Sequence, residues 1–197
     1  MCHTVLQDPA FFRFLCRIDE ELASATRLAR CPGCGGPLHV ADYPRKPRGC
    51  PAAVRAEYSW RLSFTCGWCD ARTTSPSVRF AGRRVYLAVV LMLASPPGSA
   101  SAEGLCELLS IPVRTLKRWR TWWGEDFPST PFWQSVRERF MPPVTMTQLP
   151  QSLLERFDAG ATTDRLVQLL RFVAPLSHAP RSGNRRVAAH PQRMPMV

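Results

Sequence analysis

The sequence predicts an α+β protein, mostly α-helical, with a small metal-binding β module between an N-terminal helix and a helical bundle. Three observations predict this class. Two Cys-x-x-Cys turns frame residues 31–69, and an alternating apolar segment at 58–65 runs directly into the second turn. On both sides of this module, apolar residues recur at spacings of three and four. The 197 residues, 45% of them hydrophobic, suffice for a packed core in one ordinary domain or two small ones.

The N-terminal segment, residues 8–29, is predicted to be a helix. Asp8 suits the N-cap, and Pro9 suits the first helical position, where no backbone N–H is needed. Residues on the predicted apolar face are Phe11, Phe14, Leu15, Ile18, Leu22 and Ala25. We expect this face to pack on the metal module or on the later helices.

Four cysteines in two pairs are the predicted metal ligands: Cys31 with Cys34, and Cys66 with Cys69. A Cys-x-x-Cys turn presents two thiolates to one cation, and two such turns complete a closed tetrahedral shell. Glycine lies inside or directly after each turn, where a positive φ is expected. This pattern predicts one structural Zn²⁺ in a zinc ribbon, whose folding would depend on the ion.

The sequence is compatible with other uses of these cysteines. A disulfide pair or a redox-active turn is the alternative, although no secretory signal is visible and reducing compartments keep thiols free. Cys50 or His39, which lie between the two turns, is a candidate to replace one ligand. Cys16 and Cys106 fall in helical patterns and are predicted to be small core residues.

Three strands are predicted within the ribbon: 38–43, 58–65 and a closing strand at 72–80. A basic, proline-broken loop at 44–49 separates the first two strands and is a candidate phosphate contact or simply a solvated loop. The period-two alternation of the middle strand predicts that four apolar side chains face inward: Tyr58, Trp60, Leu62 and Phe64.

The bundle at 82–124 is predicted to contain three helices: 84–94, 102–109 and one that runs from Pro112 through Trp123. The last has apolar Val113, Leu116 and Trp119 on one face and basic residues on the other, as a helix-turn-helix unit requires of its recognition helix. The candidate DNA contacts are Arg114, Thr115, Lys117, Arg118 and Arg120. The alternative is a core helix with an ordinary solvated basic face.

The remainder of the chain is predicted to form a helical segment, 125–176, followed by a disordered basic tail, 177–197. Within the helical segment, helices are expected near 132–140, 150–157 and 163–173. The predicted domains are therefore an N-terminal helix (1–30), the ribbon (31–81), the helix-turn-helix (82–124), the C-terminal helical segment and the tail.

Charge is the composition feature that bears most directly on partners. The chain has 26 Lys and Arg against 15 Asp and Glu, a formal net charge of +11 and a pI near 10.0. Most of the basic residues are arginine, which suits bidentate contacts with phosphate, so nucleic acid is the expected polyanionic partner. An arginine-rich proteome would produce the same bias.

No segment is predicted to enter a membrane. The longest apolar run, 85–94, is half the length of about 20 residues that a bilayer-spanning helix needs. Charged residues interrupt any N-terminal signal sequence, so a cytoplasmic location is expected.

The turn and helix at 108–119, placed after the two cysteine pairs, give the chain a resemblance to a known class. This stretch resembles the recognition region of resolvase-like and transposase helix-turn-helix domains, except that Ser110 replaces a usual Gly and Pro112 a usual Ser or Thr. Ribbon followed by helix-turn-helix is similar to the N-terminal half of insertion-sequence transposases and of transposon-accessory proteins. The resemblance covers residues 31–123 and implies binding of duplex DNA and contact with a transposase or other protein.

The resemblance does not extend to catalysis. The nucleases of that class use three carboxylates on an RNase-H-like sheet, and the sequence offers no place for one. We therefore expect a zinc-dependent DNA-binding accessory protein or regulator that is not an enzyme. The alternatives are a protein-interaction adaptor for a larger nucleic-acid machine and an RNA-binding protein that stacks bases on Tyr58, Trp60 or Phe64.

Overall fold

The computed structural model describes residues 5–47, 49–80, 104, 106–107, 111–157 and 160–178. It confirms an α+β protein with small antiparallel sheets. The helices are α1 (Pro9–Leu28), α2 (Val113–Thr121), α3 (Pro131–Val136), α4 (Gln151–Leu154) and α5 (Thr162–Val173). The strands are β1 (Leu38–Val40), β2 (Tyr43–Pro44), β3 (Trp60–Arg61), β4 (Ser63–Cys66) and β5 (Arg72–Thr74).

Helix α1 begins where the sequence predicts. The Asp8 carboxylate accepts the Ala10 N–H at 2.9 Å, and Pro9 occupies the first turn. The predicted apolar face is only partly correct, because Phe14 is 41% exposed and Ala25 is exposed. Phe12 and Asp19, which the predicted face did not include, are fully buried instead, because the buried side of α1 is wider than the predicted apolar face.

Two antiparallel sheets form the β module. In the larger sheet β4 lies between β1 and β5, and in the smaller sheet β2 pairs with β3. The register of the larger sheet sets His39 opposite Thr65 and Thr65 opposite Arg72. One Cys-x-x-Cys turn precedes β1, and the other connects β4 to β5. Both turns therefore lie at the same end of the sheet.

The predicted alternation across residues 58–65 is wrong. Trp60 is 52% exposed and Arg61 is 1% exposed, the reverse of the expected pattern, although Tyr58 and Phe64 are buried. The segment is not one strand. Strand β3 pairs with β2, whereas β4 pairs with β1 and β5, and Leu62, between β3 and β4, belongs to neither strand. Alternation is preserved only along one continuous strand, so it does not carry across this break.

The closing strand is shorter than predicted. It ends at Thr74, and the residues after it leave the sheet and pack on α1. There the carboxylate of Asp19, which is fully buried, accepts three hydrogen bonds: from Ser77 Oγ at 2.5 Å, from Val78 N at 2.7 Å and from Arg79 Nε at 2.7 Å. This buried ion pair joins α1 to the segment that follows the β module.

The apolar core has two parts. The larger cluster combines one side of α1, Val54, Tyr58 and Val78 with the residues of the C-terminal helices. A smaller cluster lies beside the cysteine turns and contains Ala23, Cys31, Leu38, Phe64 and Cys66. Because the smaller cluster has only five buried members, it provides little hydrophobic stabilisation for the sheet.

The C-terminal helices α3 and α4 are shorter than predicted, and α5 agrees with the predicted 163–173. Helix α2 ends at Thr121 and continues as a π-helical turn, Trp122–Asp126. Ser177, predicted to begin the tail, is buried and accepts the Ser77 N–H at 2.8 Å. The predicted helix at 84–94, most of the one at 102–109 and the tail beyond residue 178 lie outside the described residues.

Candidate metal centre and basic helix

The two Cys-x-x-Cys turns have the same backbone hydrogen bonds. In each, the first cysteine donates its N–H to the carbonyl five residues later, and its own carbonyl accepts the N–H of the residue four later. The distances are 3.0 Å for Cys31 N to Gly36 O, 2.8 Å for Gly35 N to Cys31 O, 3.0 Å for Cys66 N to Ala71 O and 3.1 Å for Asp70 N to Cys66 O. The residue after the second cysteine has positive φ in both turns, +71° at Gly35 and +53° at Asp70.

The turns bring four sulfur atoms together. The Sγ–Sγ distances are 3.4 Å for Cys34–Cys66, 3.4 Å for Cys34–Cys69 and 3.7 Å for Cys31–Cys69, and all four sulfurs lie within 4.8 Å of one another. Four sulfurs held about 2.3 Å from a tetrahedral ion would lie about 3.8 Å apart. The cluster therefore could hold a metal ion, and an all-sulfur tetrahedron suits Zn²⁺ or iron.

Two glycines allow this close approach of the turns. A Cβ on Gly36 would lie 2.8 Å from Cys66 Sγ and 2.9 Å from the Trp68 ring. A Cβ on Gly67 would lie 2.7 Å from His39 Nε2, and the Gly67 N–H donates to the Pro37 carbonyl at 2.9 Å. Gly67 thus serves close packing between the turns; the positive φ expected within the second pair occurs at Asp70 instead.

Hydrogen bonds within the cluster shift the acidity of two thiols in opposite directions. Burial acts to raise the pKa of Cys66, but backbone N–H groups of Trp68 and Cys69 and the neighbouring thiols lower it to about 6. For Cys34, the backbone N–H of Gly36 acts to lower the pKa, but the Cys69 and Cys66 sulfurs raise it to about 12. Binding of a cation to all four thiolates would therefore release protons.

The other candidate ligands do not join the cluster. Among the described residues, the four cysteines are the only group of His, Cys, Asp or Glu side chains that could hold a metal. Cys50 is buried in the main core, as are Cys16 and Cys106, and His39 is exposed. The described cysteines are free thiols, so the structure contains no disulfide between these pairs.

Helix α2 places most of the predicted DNA contacts on one exposed side. Arg114, Lys117, Arg118 and Arg120 are all exposed, while Leu116 and Trp119 are each 1% exposed and face the core. The nine-residue helix contains no acidic residue, and it continues into the π-helical turn Trp122–Asp126, whose Trp123 is also buried. Packing thus buries the apolar side of α2 and leaves its basic side exposed.

Thr115 and Val113 have exchanged sides relative to the prediction. Thr115, proposed as a DNA contact, is 3% exposed, and Val113, proposed for the apolar face, is 40% exposed. Pro112 occupies the N-cap and supplies no side-chain hydrogen bond. Thr115 therefore belongs with Leu116 in the core, and it is not among the exposed residues of the basic side.

One cluster of basic residues on the β module was missed by sequence reasoning. The Arg45 and Arg72 guanidinium carbons lie 4.6 and 5.1 Å from the centre of the Tyr43 ring. The basic loop at 44–49, a predicted candidate for phosphate contact, contains Arg45. Arg72 lies 27 residues further along the chain, so no local sequence pattern could predict that the two arginines lie close together. Tyr43 belongs to the smaller sheet and Arg72 to the larger one, so only the folded chain brings the three residues together.

No protein-family model matches the chain, and searches of curated proteins and of solved structures gave no significant match. Among the described residues, no helix has the length and apolar character needed to cross a bilayer. The residues themselves therefore carry the functional assignment.

Proposed function

We propose that this chain is a zinc-stabilised DNA-binding protein in which helix α2 contacts duplex DNA. The single observation that carries the proposal is the two-sided packing of α2: its basic residues are exposed, its apolar residues are buried, and no acid interrupts the helix. A helix held to its scaffold by one side and cationic on the other fits the dimensions of the major groove and the charge of the phosphates that line it. The net charge of +11 supports a polyanionic partner.

The four-cysteine cluster is proposed to hold one structural Zn²⁺ in a zinc-ribbon arrangement. Two like turns at one end of a three-stranded antiparallel sheet support this assignment. The sheet has only a small apolar cluster of its own, so the ion would supply much of its stability. Four thiolates fill a tetrahedral shell and leave no position for a substrate, which supports a structural rather than a catalytic ion.

The resemblance to insertion-sequence proteins suggests the biological role. On that basis we propose an accessory protein or regulator of a mobile element, without catalytic activity of its own. The basic helix would bind the element DNA while a separate transposase performs the chemistry.

The test is a duplex-binding titration of the zinc-loaded protein at several salt concentrations. The variant Arg114→Gln/Lys117→Gln/Arg120→Gln removes three charges from α2. If each side chain contacts a phosphate, the slope of log affinity against log salt should become smaller by about 0.9 per residue, or about 2.7 in total.

The matched control is Arg13→Gln/Arg17→Gln/Arg27→Gln, which removes three exposed charges from α1. It changes the net charge by the same amount at another place, so it should change the slope little. Equal slopes for the α2 variant and the wild type, or equal losses in both triple variants, would contradict the assignment of α2 as the contact helix.

A second candidate, a protein-interaction adaptor, is favoured by exposed apolar residues at and beside the metal module. Leu28 is 83% exposed, Trp68 65% and Val40 64%. Such residues are common at interface centres, tryptophan above all. If this candidate is correct, the wild type should co-purify with a protein partner and should have no measurable affinity for DNA. Leu28→Ser/Trp68→Ser should abolish that co-purification while the zinc content of the protein stays unchanged.

A further inference from the structure

The β module presents a second basic surface, distinct from helix α2. Two guanidinium groups lie close to the Tyr43 ring: Arg45 Nη2 donates to the Tyr43 hydroxyl at 3.1 Å, and Arg72 Nη2 donates to the Ala41 carbonyl at 2.7 Å. Both guanidinium carbons lie within about 6 Å of the ring centroid, the range of cation–π attraction. The ring and the hydrogen bonds fix the two cations in place, so little side-chain entropy remains to be lost on binding.

The charges of this surface are not neutralised. In the described part of the chain, neither Arg45 nor Arg72 forms an ion pair. Each guanidinium has five N–H donors and uses one in the hydrogen bonds just described, which leaves donors for a ligand. The nearby acid, Asp42, accepts the Ser63 N–H at 2.9 Å and so has a partner within the sheet.

A third arginine reinforces the positive potential. Arg61 is the cross-strand partner of Tyr43 and is 1% exposed. Its Nη2 donates to the Ser75 carbonyl at 2.5 Å, whereas its Nη1 has no hydrogen-bond partner among the described residues. No carboxylate in the described residues forms an ion pair with it. A buried, incompletely paired cation near the half-buried Arg45 and the exposed Arg72 favours an anion at this surface.

The same side of the larger sheet supplies further hydrogen-bonding groups. His39, Thr65 and Arg72 lie opposite one another across three strands and therefore point to one face. His39 and Arg72 are exposed and Thr65 is half-buried. Imidazole, hydroxyl and guanidinium groups in a row match the phosphates of a nucleic-acid backbone, which need charge and donors but no base-specific contact.

We propose that this face, which we call the Tyr43 face (Tyr43, Arg45, Arg72, His39 and Thr65), is a second contact with the phosphate backbone of the duplex that α2 binds. The proposal rests on the proposed function for the identity of the polyanion. It assigns the β module a direct part in binding, so that zinc would support a contact surface as well as a fold. Fixed arginines suit phosphate because the planar guanidinium donates two parallel hydrogen bonds to it.

The experiment compares the full-length zinc-loaded protein with Arg45→Gln/Arg72→Gln in duplex titrations between about 50 and 200 mM NaCl. Loss of two phosphate contacts should reduce the slope of log affinity against log salt by about 1.8. Over this fourfold salt range, the affinity of the variant should therefore fall about tenfold less than that of the wild type. The zinc content of the variant should remain unchanged.

Two further variants separate charge from folding. Arg45→Lys/Arg72→Lys keeps both charges and should retain most of the wild-type slope, whereas a structural role of the stacked guanidinium groups would make it behave like the glutamine variant. Arg13→Gln/Arg17→Gln is the matched control, because it also removes two arginine charges from the surface, and the Arg17 guanidinium carbon likewise lies near a ring, 5.9 Å from the centre of Phe14. It should leave the slope nearly unchanged.

The outcomes distinguish this proposal from the one for α2. A wild-type slope in Arg45→Gln/Arg72→Gln, together with a reduced slope in the α2 variant, overturns the Tyr43 face and leaves α2 intact. The reverse result supports the Tyr43 face and overturns α2. If the wild type has no salt-dependent affinity for duplex DNA, both proposed DNA contacts are overturned. That result would also be expected if the true ligand of the Tyr43 face were an acidic protein.

Discussion

Replacement of Asp19 by asparagine tests the buried connection between α1 and the segment after the β module. The Asp19 carboxylate is fully buried and accepts hydrogen bonds from Ser77, Val78 and Arg79. The Arg79 guanidinium is 4% exposed and also donates to the Glu57 carbonyl at 2.9 Å. Asparagine keeps the size of the side chain, but it removes the negative charge and turns one acceptor into a donor.

The magnitude follows from the charge that is left behind. Removal of one partner from a buried ion pair costs about 3–5 kcal/mol, because the other charge stays buried without compensation. A single domain has a free energy of unfolding of about 5–15 kcal/mol, so Asp19→Asn should remove a large share of it. With a urea m-value of about 2 kcal/mol/M, a loss of 4 kcal/mol lowers the unfolding midpoint by about 2 M.

The matched control lies two residues further along the same helix. Glu21 forms an ion pair with Arg171 at 3.1 Å, with side-chain exposures of 66% and 46%. Such an exposed pair contributes about 0–1 kcal/mol, so Glu21→Gln should barely move the midpoint. Equilibrium urea unfolding of both variants measures the difference. A loss below about 1 kcal/mol for Asp19→Asn would refute the claim that the buried ion pair anchors this segment.

Three further predictions concern the metal centre and helix α2. Gly36→Ala should weaken zinc binding about 10- to 100-fold in a competition with a chromogenic chelator, because its Cβ would clash with Cys66 Sγ. The control Gly33→Ala should bind zinc normally, because its Cβ would lie 3.9 Å from the Cys31 sulfur. Cys66→Ser should lose stoichiometric zinc by elemental analysis and Cys50→Ser should retain it, because only the former contributes to the sulfur cluster. Leu116→Ala should lower the free energy of unfolding by about 2–5 kcal/mol, since the side chain is 1% exposed, and a loss under 1 kcal/mol would show that α2 is not packed as described.

Short-range chemistry explains the parts of the site that were predictable. The spacing of Cys31 with Cys34 and of Cys66 with Cys69 restricts each pair to one tight turn, and the structure brings the four sulfurs together as predicted. Asp8 and Pro9 likewise fixed the start of α1, because a cap acts on the N–H groups that directly follow it.

Long-range pairing explains the parts that were not predictable. The residues 58–65 alternate as a single strand would, yet β3 and β4 pair with different partners, and this exchanged the exposures of Trp60 and Arg61. Thr115 is buried because the core covers more of α2 than its apolar stripe. Both the exposures of Trp60 and Arg61 and the burial of Thr115 depend on contacts with distant parts of the chain, and not on neighbours within one helical turn or one strand.

The sequence by itself determined the local features: the cysteine turns, the capped α1, the basic composition of α2 and the excess of arginine. Only the tertiary structure decided which charges are paired. It placed Asp19 against Arg79, 60 residues away, and left Arg45 and Arg72 stacked on Tyr43 without a carboxylate partner in the described residues. The physical reason is that local structure depends on residues within a few positions, whereas the energy of a charge depends on burial and on groups that only the folded chain brings near.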